Sequence, residues 1–179
     1  MDYIKNWLEQ NEDAVLETAK YIFDHPEGSM EERKSAAKAA EFLKNQGFTI
    51  EFGTAGLETA FTASYGEGKP VYGFLAEYDA LPGLGQDVVP YRSEKPGFGH
   101  GCGHHLLGMG IIAAACAFKE ELEKNHKPGT IRVYGCPAEE ILYGKVVMAE
   151  AGIFDDLSVA ISLSLKHIYS EKLGCRDYK

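Results

Sequence analysis

The sequence predicts an α/β fold, a mixed sheet flanked by helices, and three observations carry that prediction. Segments with apolar residues at helical spacing alternate with short extended apolar segments. The composition, 45% hydrophobic and 25% charged over 179 residues, belongs to a folded domain with a sizeable core. A Gly- and Pro-rich stretch over 77–103 follows an apolar strand, and the carboxyl ends of strands are where open α/β sheets carry their sites.

The elements follow in order. Ile4, Trp7, Leu8, Val15, Leu16, Ala19, Ile22 and Phe23 give residues 2–23 helical spacing, and His25-Pro26-Glu27-Gly28 ends that helix. Ser29-Met30-Glu31-Glu32 has the pattern of a capping box, which starts a second helix at Ser29 and runs it to Gly47. Residues 48–52 alternate as a half-buried strand does. Residues 59–65 and 71–76 read as a strand pair joined by the turn Gly66-Glu67-Gly68-Lys69-Pro70. After the long loop come a helix over 104–123, a strand over 130–136, a helix over 143–151 and an apolar strand over 158–165. Alternating strands and helices imply a sheet covered on both faces.

Charge and cysteine usage narrow the function. A formal net charge of −9 without a Lys/Arg cluster argues against nucleic acid as a partner. The apolar run 109–118 is too short to span a bilayer, and the mixed, polar start lacks a secretory pattern, so no membrane partner and a cytoplasmic location are expected. Four irregularly spaced cysteines read as reduced thiols.

Three segments carry chemistry. In Gly99-His100-Gly101-Cys102-Gly103-His104-His105, thiolate and imidazole are both good ligands for a borderline metal. Side chains two apart share no helix face, so Cys102 and His104 converge only where the backbone bends, and Gly101 and Gly103 permit that bend. The same residues also suit a glycine loop entering a helix, with His104 and His105 as polar caps. In Cys136-Pro137-Ala138-Glu139-Glu140, one carboxylate could bind a metal while its neighbour takes a proton from water. The plainer reading is two glutamates in a helix's first turn. In Ala76-Glu77-Tyr78-Asp79-Ala80-Leu81-Pro82, Asp79 either orients a ligand imidazole or makes a turn before Pro82. Cys116 reads as core, His25 and His126 as solvated, and Tyr91, Arg92 and the Gly83-Leu84-Gly85 glycines as possible substrate contacts.

Taken together and in this order, the three segments resemble the metallopeptidase family of amidohydrolases and carboxypeptidases, and within it the aminobenzoyl-glutamate and amino-acid-conjugate hydrolase branch. The resemblance covers residues 1–160 and implies the N-terminal half of a zinc-peptidase-like catalytic domain. It implies Cys102, His104 and Glu140 as metal ligands, Glu139 as general base and Asp79 as the aspartate beside the metal. The implied cofactor is zinc or manganese, two ions in a complete member. The implied reaction is hydrolysis of amide bonds in acyl- or aryl-amino acids or small peptides by metal-activated water. The resemblance also implies homodimers formed through an inserted domain, which is expected to be absent here.

Departures from the family pattern are specific. His105 stands where many members have Asp, and members of the aminobenzoyl-glutamate branch often Asn. The His-Pro pair expected after the last strand is replaced by Ser164-Leu165-Lys166-His167, and a three-position shift changes which face a strand residue serves. Residues 1–163 therefore read as a partial catalytic domain and 164–179 as an atypical tail. The alternative expectation is a truncated, inactive remnant that still binds metal. A hydrolase using Cys102 as nucleophile is disfavoured by the adjacent glutamates, and a phosphate loop by the absence of a Gly-Lys-Ser/Thr ending.

Overall fold

Trp7, Val15, Ala19 and Ile22 turn one side of helix α1 (Asp2–Asp24) towards the core in a computed structural model that describes residues 2–89 and 91–164. Helix α2 (Arg33–Asn45) buries Ala36, Ala39, Ala40, Phe42 and Leu43 and ends ahead of Gly47, whose φ of 88° is the left-handed stop of a helix. The capping box expected at Ser29 does not form, and α2 begins four residues later. The Ser29 hydroxyl donates instead to Asp79 Oδ2 at 2.9 Å. Glu32 is fully buried and accepts from the Met30 and Ala138 amides and the Thr59 hydroxyl. Glu27 takes over the helix start, accepting the Lys34 and Ser35 amides. Tertiary partners have displaced the local motif.

The strands are β1 (Thr49–Phe52), β2 (Phe61–Glu67), β3 (Val71–Glu77), the short pair β4 (Leu81–Pro82) and β5 (Phe98–Gly99), β6 (Gly129–Cys136) and β7 (Val159–Ile161). Helices α3 (His104–Lys124) and α4 (Gly144–Glu150) connect the later ones. The main sheet runs β1-β2-β6-β3-β7, antiparallel as far as β6 and parallel from β6 to β7. This corrects the expected pairing of β2 with β3. Strand β6 lies between them, antiparallel to one and parallel to the other. Its residues Ile131, Val133, Tyr134 and Cys136 are all buried, which requires a central position.

Helices α1, α2 and α3 cover one face around Trp7, Ile22, Leu43, Phe74, Met109 and Ile112. A smaller cluster of Leu57, Tyr134, Cys136 and Met148, joined by Leu157, covers the other. Strand β7 is an edge, and Val159 (42%) and Ile161 (38%) remain exposed. The last strand is thus shorter than expected; the tail from residue 165 onward, including His167, lies outside the described residues. Among the described residues no helix is long and apolar enough to cross a membrane.

Two features of this topology position a site. Parallel strands need a crossover, which α3 supplies between β3 and β6. Register then sets Glu77 beside Cys136, so the loops leaving β3 and β6 emerge together at the carboxyl end of the sheet.

Candidate metal centre

His104 is the first residue of α3 and is 2% exposed. Gly103, at φ 82° and ψ 21°, makes the left-handed bend that swings Cys102 and His104 to one side. Gly101 instead lies under the long loop, where a Cβ would come 2.4 Å from Leu84 Cδ1 and displace that side chain.

The loop after β3 delivers Asp79, whose Oδ1 accepts the His104 Nδ1 proton at 2.8 Å. Its other oxygen accepts the Ser29 hydroxyl and the Glu140 amide, each at 2.9 Å. Asp79 therefore stitches three segments together and makes no turn before Pro82. Burial works against its charge, but these donors outweigh burial and hold its carboxyl below the usual range. Burial likewise disfavours charge on His104, and Asp79, Glu77 and Glu140 overcome it, so the imidazole holds its proton more strongly than usual.

Glu139 and Glu140 lie in a turn ahead of α4, outside any helix. Ala138 adopts φ 56°, and its amide is bound by Glu32 at 2.8 Å, which aims the two carboxylates back over the sheet end. Glu139 Oε2 lies 3.4 Å and Glu77 Oε2 3.3 Å from His104 Nε2. Glu140 Oε1 lies 3.7 Å from Nδ1, buried and without a hydrogen-bond partner. Two groups of donor atoms result, Cys102/His104/Glu140 and Glu77/His104/Glu139, each within 4.8 Å.

This donor set fits a divalent cation. With Nδ1 committed to Asp79, Nε2 is the ring edge turned to two carboxylate oxygens: protonated it pairs with them, and deprotonated it offers a ligand atom among anionic oxygens, where a divalent cation fits. The orphaned Glu140 oxygen points the same way. Among the described residues the one Lys or Arg pairing with Glu77, Asp79, Glu139 or Glu140 is Lys145, on Glu77. The mixed thiolate, imidazole and carboxylate donors suit zinc, and the carboxylates also suit manganese.

The arrangement argues against a cysteine nucleophile. Burial first, then Glu140, Glu139 and Glu77, push the Cys102 thiol above its usual pKa, opposite to what nucleophilic activation needs. Cys116 is core as expected, its thiol pushed up to about 12 by burial. His126 is exposed, but His25, expected in solvent, is half-buried and stacks on Tyr21 at 4.2 Å. His105 packs between His100 and Phe23, and burial pushes its pKa down to about 4. Gly83, Leu84, Gly85 and Arg92 line a cavity of about 730 Å³ that reaches Phe23, Phe98, His100 and Gly101, next to Cys102; Tyr91 is exposed and does not line it. Sequence reasoning left Glu77 without a role; its place at the end of β3, two residues before Asp79, was the available signal.

Comparison with known proteins agrees with this class of site. The model of peptidase family M20/M25/M40 matches residues 73–173, more than half of the chain and past the end of the described region. The chain belongs to that family. It is similar to one of the subunits of p-aminobenzoyl-glutamate hydrolase from Escherichia coli, 44% identical over 89% of this chain and 34% of that protein. It is also similar to Xaa-Arg dipeptidase from Mus musculus, 31% identical over 79% of this chain and 32% of that one. Among solved structures it resembles a dinuclear metal-binding M20 peptidase from Bacillus subtilis, at a TM-score of 0.75 and 27% identity over 88% of this chain and 44% of that chain. The chain thus spans about a third of the length of these curated relatives.

Proposed function

We propose that this chain provides the nucleophile-activating part of a metal-dependent hydrolase acting on amide bonds of acyl- or aryl-amino acids or small peptides. The observation that carries this reading is the convergence of Cys102, Glu139 and Glu140 on buried His104 at the carboxyl ends of β3 and β6. The two relatives support the substrate class, since p-aminobenzoyl-glutamate and Xaa-Arg are both amides formed with an amino acid.

In this reading Cys102, His104 and Glu140 hold zinc or manganese, with a second ion as in the dinuclear relative. A bound divalent ion supplies Lewis acidity to the attacking water and to the amide carbonyl. Asp79 fixes the His104 tautomer so that Nε2 is the ligand atom. Glu139, half-buried beside Nε2, takes the proton from the attacking water and delivers it to the departing amine. The cavity lined by Phe23, Leu84 and Phe98 has room for an acyl or aryl group. Residues 1–163 form part of the catalytic domain, and unpaired Cys102, Cys116 and Cys136 suit a cytoplasmic setting.

The test is hydrolysis of aminobenzoyl-glutamate and acyl-amino acids by the zinc- or manganese-loaded chain. The expected result is turnover that Glu139→Gln abolishes while metal content stays the same. A second reading is a metal-binding form without turnover, in which the donor groups hold an ion and no amide is cleaved. Bound metal with no turnover in wild type would select it.

A further inference from the structure

Glu77 closes β3, and its side chain is 11% exposed. Its two oxygens have different partners: Oε1 accepts from Lys145 Nζ, and Oε2 faces His104 Nε2 at 3.3 Å. Gly108 of α3 packs on the same residue's backbone, where a Cβ would stand 2.1 Å from the Glu77 carbonyl oxygen, so the strand end cannot drift from the helix that carries His104.

His104 occurs in both donor groups, yet it has one ligand atom, because Nδ1 is bonded to Asp79. That atom serves a single ion. Glu77 and Glu139 both lie against it, and if Glu139 handles the water proton, the remaining oxygen beside Nε2 belongs to Glu77. The ion pair with Lys145 uses Oε1 alone and leaves Oε2 among the donor atoms that gather at Nε2.

We propose that Glu77, clamped through one oxygen by Lys145, is a ligand of the ion held by His104 Nε2, and that Lys145 is a positioning residue of the centre. The proposal rests on the metal reading above and adds a carboxylate to Cys102, His104 and Glu140. One oxygen engaged by Lys145 leaves Glu77 to bind through the other alone, and the β3 end becomes part of the metal's cage.

The experiment is zinc affinity by competition with a chromophoric chelator, together with the visible spectrum of the Co(II)-loaded chain. Wild type, Glu77→Gln, Glu77→Asp and Glu139→Gln are compared. Glu77→Gln keeps shape and loses charge; Glu77→Asp keeps the charge for Lys145 but withdraws the oxygen from Nε2. Both are expected to weaken zinc by at least about tenfold and to change the Co(II) bands, while Glu139→Gln stays near wild type. Wild-type affinity and an unchanged spectrum in either Glu77 variant overturn the proposal and leave the metal reading intact. A wild-type chain that binds no zinc overturns both.

Discussion

The bond from His104 Nδ1 to Asp79 Oδ1, 2.8 Å long between two buried side chains, decides which edge of the imidazole meets Glu77 and Glu139. An ionised carboxylate only accepts, so Nδ1 keeps a proton towards Asp79 and Nε2 is the edge that gives up its proton to an ion. Asp79→Asn removes the charge that stabilises this tautomer and presents an amide to the donors from Ser29 and Glu140. Zinc affinity should fall about 10–100-fold. Isothermal titration checks this, and wild-type affinity would show that the bond does not set the ligand.

Metal binding should release protons. Asp79, Glu77 and Glu140 outweigh burial and raise His104, and burial with nearby carboxylates raises Cys102, so both hold their protons more strongly than usual in the metal-free chain. An ion displaces them, and affinity therefore rises with pH. Titration in buffers of different ionisation enthalpy should detect up to two protons per ion. A flat or falling affinity would contradict the assignment of these two ligands.

The same shifts act oppositely on the metal-free fold. A raised imidazole stabilises below its ordinary pKa, and that contribution is lost as pH rises through the raised value. The lowered Asp79 carboxyl stabilises above the ordinary carboxylate range and loses its contribution as pH falls through the lowered value. Metal-free stability should therefore peak between these limits, and saturating zinc should move the peak upward. Thermal melts across pH with and without zinc measure it.

Glu32 links the start of α2 to the turn that aims Glu139 and Glu140. Its fully buried carboxylate accepts from the Met30 and Ala138 amides and from Thr59. Glu32→Ala leaves buried donors unmet and should destabilise by roughly 2–4 kcal/mol. Thermal unfolding should drop by about 5–15 °C.

Two glycines of α3 should respond in opposite ways to alanine. At Gly108 the new Cβ would meet the Glu77 carbonyl carbon at 3.2 Å and its oxygen closer still, so the helix must shift, destabilising by about 1–3 kcal/mol. At Gly110 the nearest atom is the flexible end of Leu163 at 3.1 Å, and the better helix former should be neutral or stabilising by up to about 1 kcal/mol. Chemical denaturation of both variants tests the contrast.

Much of this molecule was legible in its sequence because burial leaves a periodic trace. α3, β3 and β6 stand where apolar spacing placed them, and Gly103 makes the bend foreseen between Cys102 and His104. Partners were less legible. Nothing near β2 and β3 announces that β6, from much later in the chain, separates them, since alternation records a buried face and not a neighbour. Ser29 carried a local capping motif, but Asp79, distant in sequence, offered its hydroxyl a buried acceptor. Glu77 stayed without a role because its partners, His104 and Lys145, meet it only through the register of β3 with β6 and the return of α4.

Whether His104 Nε2 is the focus of a metal centre is read from the zinc stoichiometry of the chain beside His104→Ala and Cys102→Ser. At least one ion per wild-type chain, removed by chelation and lost or greatly weakened in both variants, is the predicted result. Less than one ion per chain after loading, or equal binding in wild type and His104→Ala, would contradict it.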